Sequence, residues 1–377
     1  MSVYLGRSGL ASRVTNMYVG VGGTAKIVTD GYVGVGGVAR PFWTIQRGVQ
    51  YYGPGPTLRH ARVYGAAATA GNQMLYGGGR NNDECVDWVE QLSPSLTLTD
   101  GTALTVARSD FAATEVGSKA VFAGGETTSG INKDTVDVYD SSQTHSDGPV
   151  LRIARDDLAA GSLSTVAYFG GGADNSTNET AVVDAYDTSL TRYSPDSLSF
   201  AVTNPAAAVA GTRVLFAGGT GSDNIDGYDS SMTRLTGGHL AVARGRLTGS
   251  SAGRIALFAG GIISGTLCRK LEAVTESLTR LAAVELGFGV MDGAGSRLGN
   301  WAVFGGGFGE DGPSTVVACC DNNLTILPNT PMPTGRGGLS AASCGNYFAF
   351  FGGSTSESWS FASRDASNLV DIYTIGG

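Results

Sequence analysis

The chain has 377 residues, 42% hydrophobic and only 15% charged, with 58 glycines and a net charge of −8. There is no basic stripe of the kind a nucleic-acid binder carries, and no apolar run of the roughly 18 residues a membrane helix needs. The 5 cysteines show neither a CxxC pair nor metal-finger spacing, which points to reduced thiols and a chain made in a cytoplasm.

The first 43 residues stand apart from the rest. MSVYLGRSGLASRV lacks the apolar core of a signal peptide. A duplication follows, YVGVGGTAK (18–26) and YVGVGGVAR (32–40). Each copy alternates Val with Gly and ends in a basic residue, and Thr29-Asp30-Gly31 makes a turn between them. This predicts a small β arm, too short to hold a core alone, that docks on the remainder of the chain or on another chain. The duplicated motif resembles a segment at the start of proteins encoded by phages and prophages of Gram-positive gut bacteria, mostly tail, baseplate or other virion components. The resemblance implies an assembly element that contacts other virion proteins. Without it, the same residues read as a β-hairpin cap.

Pro41-Phe42-Trp43 leads into 46–52, a stretch in register to act as an outer strand. From there a seven-fold repeat fills the chain. Its marks are LYGGG (75–79), VFAGG (121–125), YFGGG (168–172), LFAGG (215–219), LFAGG (257–261), VFGGG (303–307) and FFGG (350–353). The last glycines of these marks are spaced 46, 47, 47, 42, 46 and 46 residues apart. Such a period with strand-like content signals a propeller or another repeat array. At a constant offset before the glycine stand Leu58, Leu104, Leu151, Leu198, Leu240, Leu286 and Met332. At another stand Arg62, Arg108, Arg155, Arg244 and Arg336, with Val202 and Val290 in the two other copies.

The second copy shows the unit most plainly. Residues 109–115 read as strand a, and KAVFA (119–123) as strand b, ending at Gly124-Gly125. ETTSGINKD is a polar loop. TVDVY (135–139) alternates as a half-buried strand c should. Asp140-Ser141-Ser142 is a turn, and a short strand d starts at Gln143. Four short antiparallel strands make one propeller blade. The fold class is therefore all-β: a seven-bladed propeller (44–377) with an N-terminal β arm (1–43). The apolar residues Leu96, Leu190, Met232, Leu278, Leu324 and Leu369 are read, with Gln143, as outer-strand positions. Either 46–52 or 369–376 can supply the last strand of blade seven.

The Arg, the apolar-aromatic-Gly-Gly mark and the elements VDVYD (136–140), VDAYD (183–187) and IDGYD (225–229) resemble the kelch repeat over residues 56–377. Kelch repeats usually carry an outer-strand Trp. SLTRY, SMTRL and SLTRL stand in its place, so the set is divergent and ligand residues of animal kelch proteins are not carried over.

Length varies chiefly between strands b and c. In repeat proteins such variation gathers on one face, often the binding face. These loops are polar, suited to a hydroxyl-rich or protein partner, and the candidate binding residues on them are Asp83, Glu126, Asp174, Asp223 and Glu310. Ordinary solvated loops are the plainer reading. The five arginines are candidates too. They either gather about the axis to hold an anion or bond loop carbonyls and carboxylates such as Asp137 and Asp184.

No catalytic residue, metal ligand or cofactor is assigned. A kelch-type copper oxidase needs His and Tyr ligands, and only His60, His145 and His239 are present, at different offsets. The reading taken is a non-enzymatic phage virion structural or adhesin-type protein. Its arm docks in a tail or capsid assembly, and its b–c loops bind a host surface glycan or a protein. The chain would be made in a bacterial cytoplasm and could assemble as a homo-oligomer. The alternative is an intracellular kelch-like interaction module.

Overall fold

The computed structural model describes residues 4–375 except 8–9, 14–17, 22–23, 28–29, 36–37, 45–47, 83, 282 and 357–364. Contacts divide the chain into two units, Met1–Gly48 with Ile375–Gly377, and Val49–Thr374.

Among its described residues the N-terminal unit holds three antiparallel strand pairs: Tyr4–Arg7 with Leu10–Arg13, Tyr18–Val21 with Thr24–Ile27, and Asp30–Val35 with Val38–Thr44. Their registers coincide. Gly6 faces Ala11, Gly20 faces Ala25 and Gly34 faces Ala39. The duplication is thus a triplication. YLGRSGLASR (4–13) is the first copy, its ancestry hidden in sequence because Arg7 and Ser8 stand where the other two have Val-Gly.

The second unit is a seven-bladed propeller, each blade a four-stranded antiparallel sheet. Blade 1 comprises Ala66–Ala70, Gln73–Gly77, Val89–Leu92 and Leu98–Asp100. Blade 2 comprises Ala112–Val116, Lys119–Ala123, Val136–Tyr139 and His145–Asp147. Blades 3 to 6 repeat this order, with inner strands starting at Ala159, Ala206, Thr248 and Ala294. Blade 7 joins Ser340–Cys344, Tyr347–Phe351 and Val370–Ile375 to Val49–Pro54. The N-terminal strand is therefore the outermost, and the C-terminal strand is third. Residues 369–376 do not finish the blade because their register places Ile372 opposite Ala349 on strand b.

The core lies between blades. Phe122 of blade 2 packs with Ala68, Leu75, Val89 and Leu104 of blade 1 and its approach. Strand b is buried on both faces, hence its unbroken apolar run. The glycine pair at its end serves the junction. Gly125 has φ of 96°, and a Cβ there would lie 2.5 Å from the Ser109 carbonyl oxygen. Its N–H instead donates to the Arg155 carbonyl of the next blade at 2.9 Å. The seven equivalent glycines form a closed circle of such bonds, completed by Gly353 N–H to the Arg62 carbonyl at 2.9 Å.

One expectation is corrected. Leu96, Gln143, Leu190, Met232, Leu278 and Leu324 are not outer-strand residues but turn residues with φ between 58° and 65°. The turn is held by the residue three positions earlier. Asp140 Oδ1, for example, accepts from the Ser142 and Thr144 N–H groups at 2.8 and 2.9 Å. Leu369, matched to them by spacing, directly precedes strand c of blade 7. The b–c connection of that blade, 352–369, is consequently the longest, and that of blade 4, 218–223, the shortest.

Candidate functional site

The loops entering strand a and the loops leaving strand b share one face. They are stitched by short antiparallel bridges, among them Val63 to Arg80, Ser109 to Glu126, Gly245 to Ile262 and Gly337 to Ser354. Inside the ring, the second residues of the inner strands are small: Ala67, Ala113, Ala160, Ala207, Gly249, Gly295 and Ala341. Strands of small residues cannot fill the axis, and they line a channel of ≈ 950 Å³.

At the mouth of this channel each blade contributes one residue two positions after its Arg or Val: Tyr64, Asp110, Asp157, Asn204, Arg246, Asp292 and Gly338. All seven have φ between 50° and 62°. Each N–H donates to the carbonyl of the equivalent residue one blade back, at 2.9 to 3.2 Å, and Tyr64 N–H to the Gly338 carbonyl closes the circle. The left-handed backbone aims every peptide along the circle, which is why Asp, Asn and Gly hold five of these seven places. Six side chains are left at the mouth, around a cup of ≈ 520 Å³ that also takes in Arg80, Phe111, Glu126 and Asp156.

The cup is electrostatically mixed. Arg246 pairs with Asp292 at 2.9 Å, and Arg80 lies 3.8 Å from Glu126. Asn204 Nδ2 donates to Asp157 Oδ2 at 2.9 Å, and Ser109 Oγ to Asp110 Oδ2 at 2.7 Å. Asn132 Nδ2 donates to Asp156 Oδ1 at 3.1 Å. Burial and the nearby Asp157 carboxylate push Asp110 up to about 8. Burial, with Asp157 and Glu126 close by, pushes Asp156 up to about 7. Burial raises Asp157 as well. Near neutrality this wall can donate protons in hydrogen bonds or ionise toward a donor-rich ligand.

A folded-state pKa above the unfolded value means the native state binds more protons across that interval, so stability falls as pH rises through it. For Asp110 the interval runs from about 4 to about 8. Asp110→Asn keeps the left-handed backbone and is expected to match the parent at pH 4.5. At pH 8.5 it should exceed the parent by about 1–2 kcal/mol, after allowance for solvent screening. Thermal melts at the two pH values check this, and a difference that does not change with pH would refute the assignment.

The residues expected from sequence lie elsewhere. Arg62, Arg108, Arg155, Arg244 and Arg336 are at most 1% exposed, inside their blades. Arg108 meets Asp137 at 2.7 Å, Arg155 meets Asp184 at 2.9 Å and Arg244 meets Glu272 at 2.5 Å. Arg62 pairs with Glu90, and Arg336 with Asp371. Of the two readings of these arginines, the geometry presents bonds to carbonyls and carboxylates, each charge already met by its own blade. Glu126 lines the cup, Asp174 caps its own turn through the Ser176 and Asn178 N–H groups, and Glu310 pairs with Arg269 at 2.7 Å. Asp223 lies 3.4 Å from His239, and Asp83 falls outside the described residues. His60 stacks on Trp88 at 3.9 Å. Asp137, His145 and Asp147 bring ligand atoms within 4.8 Å of one another, but Asp137 already accepts from Arg108 and Thr105. The mouth residues escaped notice because their column is constant in offset and varied in identity. The signal available was a run of Asp, Asn and Gly at one repeat position.

The class these features define is a seven-bladed β-propeller with a polar cup at one channel mouth. Among solved structures the fold is similar to that of YjhT, at 12% identity and a TM-score of 0.58, covering 73% of this chain and 99% of that one. At such identity the likeness concerns the fold alone. No protein-family model matches the chain, and no curated protein does. Among the described residues no helix is long and apolar enough to cross a membrane.

Proposed function

We propose that this protein is a non-enzymatic, kelch-like binding protein of a phage virion, which takes a hydroxyl-rich host surface polymer in the cup. The observation that carries the binding reading is the cup itself. Carboxyl, carboxamide and guanidinium groups converge there with the rings of Tyr64 and Phe111. A few placed polar groups beside an apolar face are what orient a small polar ligand. The virion reading is supported by the duplicated motif YVGVGGTAK (18–26) and YVGVGGVAR (32–40), which resembles a segment at the start of phage tail and baseplate proteins. On this reading the arm docks among other virion proteins and the propeller is displayed.

Two measurements test it. Mass spectrometry of purified particles from the producing strain is expected to find the chain, and its absence there would sink the virion role. Cell-wall polysaccharide from the host strain is expected to bind the purified protein. Arg246→Ala and Asp157→Asn should each weaken that binding about tenfold, the worth of one charge-assisted hydrogen bond. Binding unchanged in both variants would remove the cup from the proposal.

A further inference from the structure

The acid on strand c recurs at one place in six blades: Glu90, Asp137, Asp184, Asp226, Glu272 and Asp371, each facing the strand-b aromatic. In five blades a buried arginine neutralises it. Blade 6 lacks the arginine, and there the acid is missing too. Val290 and Ala318 stand in the two places, so charge is balanced by removing both partners. Blade 4 breaks the rule. Val202 replaces the arginine, yet Asp226 is retained and is 3% exposed. Asp226 Oδ2 accepts from the N–H and hydroxyl of Ser199 at 2.9 and 2.8 Å. Its Oδ1 is buried and accepts no hydrogen bond.

A small pocket adjoins this carboxylate, lined by Phe200, Val202, Phe216, Gly218, Ser222 and Asp226. The lining matters because the equivalents of Phe216 and Gly218 hold the guanidinium in other blades. The carbonyls of Tyr76, Phe122, Phe169 and Phe258 each accept from Arg Nη2, and that of Gly260 accepts from Arg244 Nε at 2.8 Å. Blade 4 thus keeps the acceptor set of the buried arginine and omits that arginine, and its strand-d Arg234 is turned to the Ser197 carbonyl instead of Asp226 Oδ1. The cavity measures ≈ 10 Å³, about the space of one water-sized sphere. With the Val202 side chain in place, that excludes a guanidinium and fits a monatomic cation or ammonium.

We infer that blade 4 is a monovalent-cation site, in which Na⁺, K⁺ or NH₄⁺ bound at Asp226 Oδ1 replaces the missing arginine. A buried carboxylate without a countercharge is costly, so a cation bound only by the native state raises stability by mass action. Exposed Phe200 stands at the pocket.

The test uses the full chain at constant ionic strength. Thermal unfolding is measured in 100 mM (roughly ten times an assumed Kd) NaCl, KCl or NH₄Cl and in tetramethylammonium chloride, whose cation is too large to enter. At least one of the small cations is expected to raise the midpoint by about 2–3 °C over tetramethylammonium. Val202→Arg, which supplies the cation covalently, and Asp226→Asn, which removes the need for it, are each expected to abolish that difference. Equal midpoints in all four salts would overturn the proposal, as would a difference that persists in Asp226→Asn. Should Val202→Arg misfold, anomalous scattering from a Tl⁺-soaked crystal of the unmodified chain decides. A peak beside Asp226 Oδ1 supports the site, and none there overturns it.

Discussion

A chain begun at Val49 is expected to fold as a closed propeller, and one begun at Gly55 to lose cooperative unfolding and aggregate. The difference is the 6-residue strand Val49–Pro54. It covers Val370–Ile375, whose Ile372 and Tyr373 are fully buried. Tyr51 Oη donates to Asp371 Oδ1 at 3.1 Å, and its ring meets Tyr373 edge-on at 5.2 Å. Tyr52 meets Tyr347 in the same way at 5.3 Å. Without this strand, Val370–Ile375 becomes an uncovered apolar edge, a template for pairing with other chains. The damage would spread because both hydrogen-bonded circles close between blades 7 and 1, through Gly353 to Arg62 and Tyr64 to Gly338. Size-exclusion chromatography and thermal melts of the two truncations check this. Indistinguishable melts would show that strand c of blade 7 needs no outer partner, and an unfolded 49–377 fragment would show that the arm is required for folding.

Arg155→Val is expected to destabilise the protein by about 3–5 kcal/mol, the range for removing one partner of a buried ion pair. Arg155 and Asp184 are both fully buried, with Nη1 and Oδ2 2.9 Å apart. Arg155 Nη2 also donates to the Phe169 carbonyl at 3.2 Å. Removing the guanidinium leaves the buried Asp184 carboxylate held only by part-exposed Arg192 at 3.2 Å and the Arg152 N–H, and that lost compensation at Oδ2, rather than the net worth of the pair, dominates the loss. Arg155→Val with Asp184→Ala is therefore expected to recover most of it, since the pair then matches Val290 and Ala318 in blade 6. Equilibrium denaturation of the singles and the double gives the coupling directly. A double mutant whose cost equals the sum of the singles would contradict this account.

The contrast between blades 4 and 6 follows from the same physics. In blade 6 two apolar side chains fill the place of an ion pair. In blade 4 a valine faces an aspartate that still needs a positive charge. A buried charge is decided by its own partner, so two copies with identical Val substitutions carry opposite electrostatic consequences.

The strand-b marks were legible because their requirements are local to one short segment. An aromatic must fill the space between blades, and two glycines must turn the chain against a neighbouring carbonyl. KAVFA reads as strand b of blade 2 and is that strand to the residue, Lys119–Ala123. The turn leucines misled because an apolar residue with left-handed φ is not signalled by its side chain. The DSS-type triplets before them were the better guide. The first N-terminal hairpin was hidden by two substitutions in its turn region, and pairing register restored it.

Period, blade number and strand order along the chain were determined by sequence alone, since seven equal units each need the same buried faces. What only the tertiary structure decided is everything that depends on closing the circle. Strand Val49–Pro54 belongs to blade 7 because the two ends of the propeller unit, Val49 and Thr374, meet there. Tyr64, Asp110, Asp157, Asn204, Arg246 and Asp292 become one site only when seven separate repeats bring them around a common axis. Their shared repeat position is marked in sequence only by its run of Asp, Asn and Gly, and the ring of hydrogen bonds that unites them exists only in the closed fold.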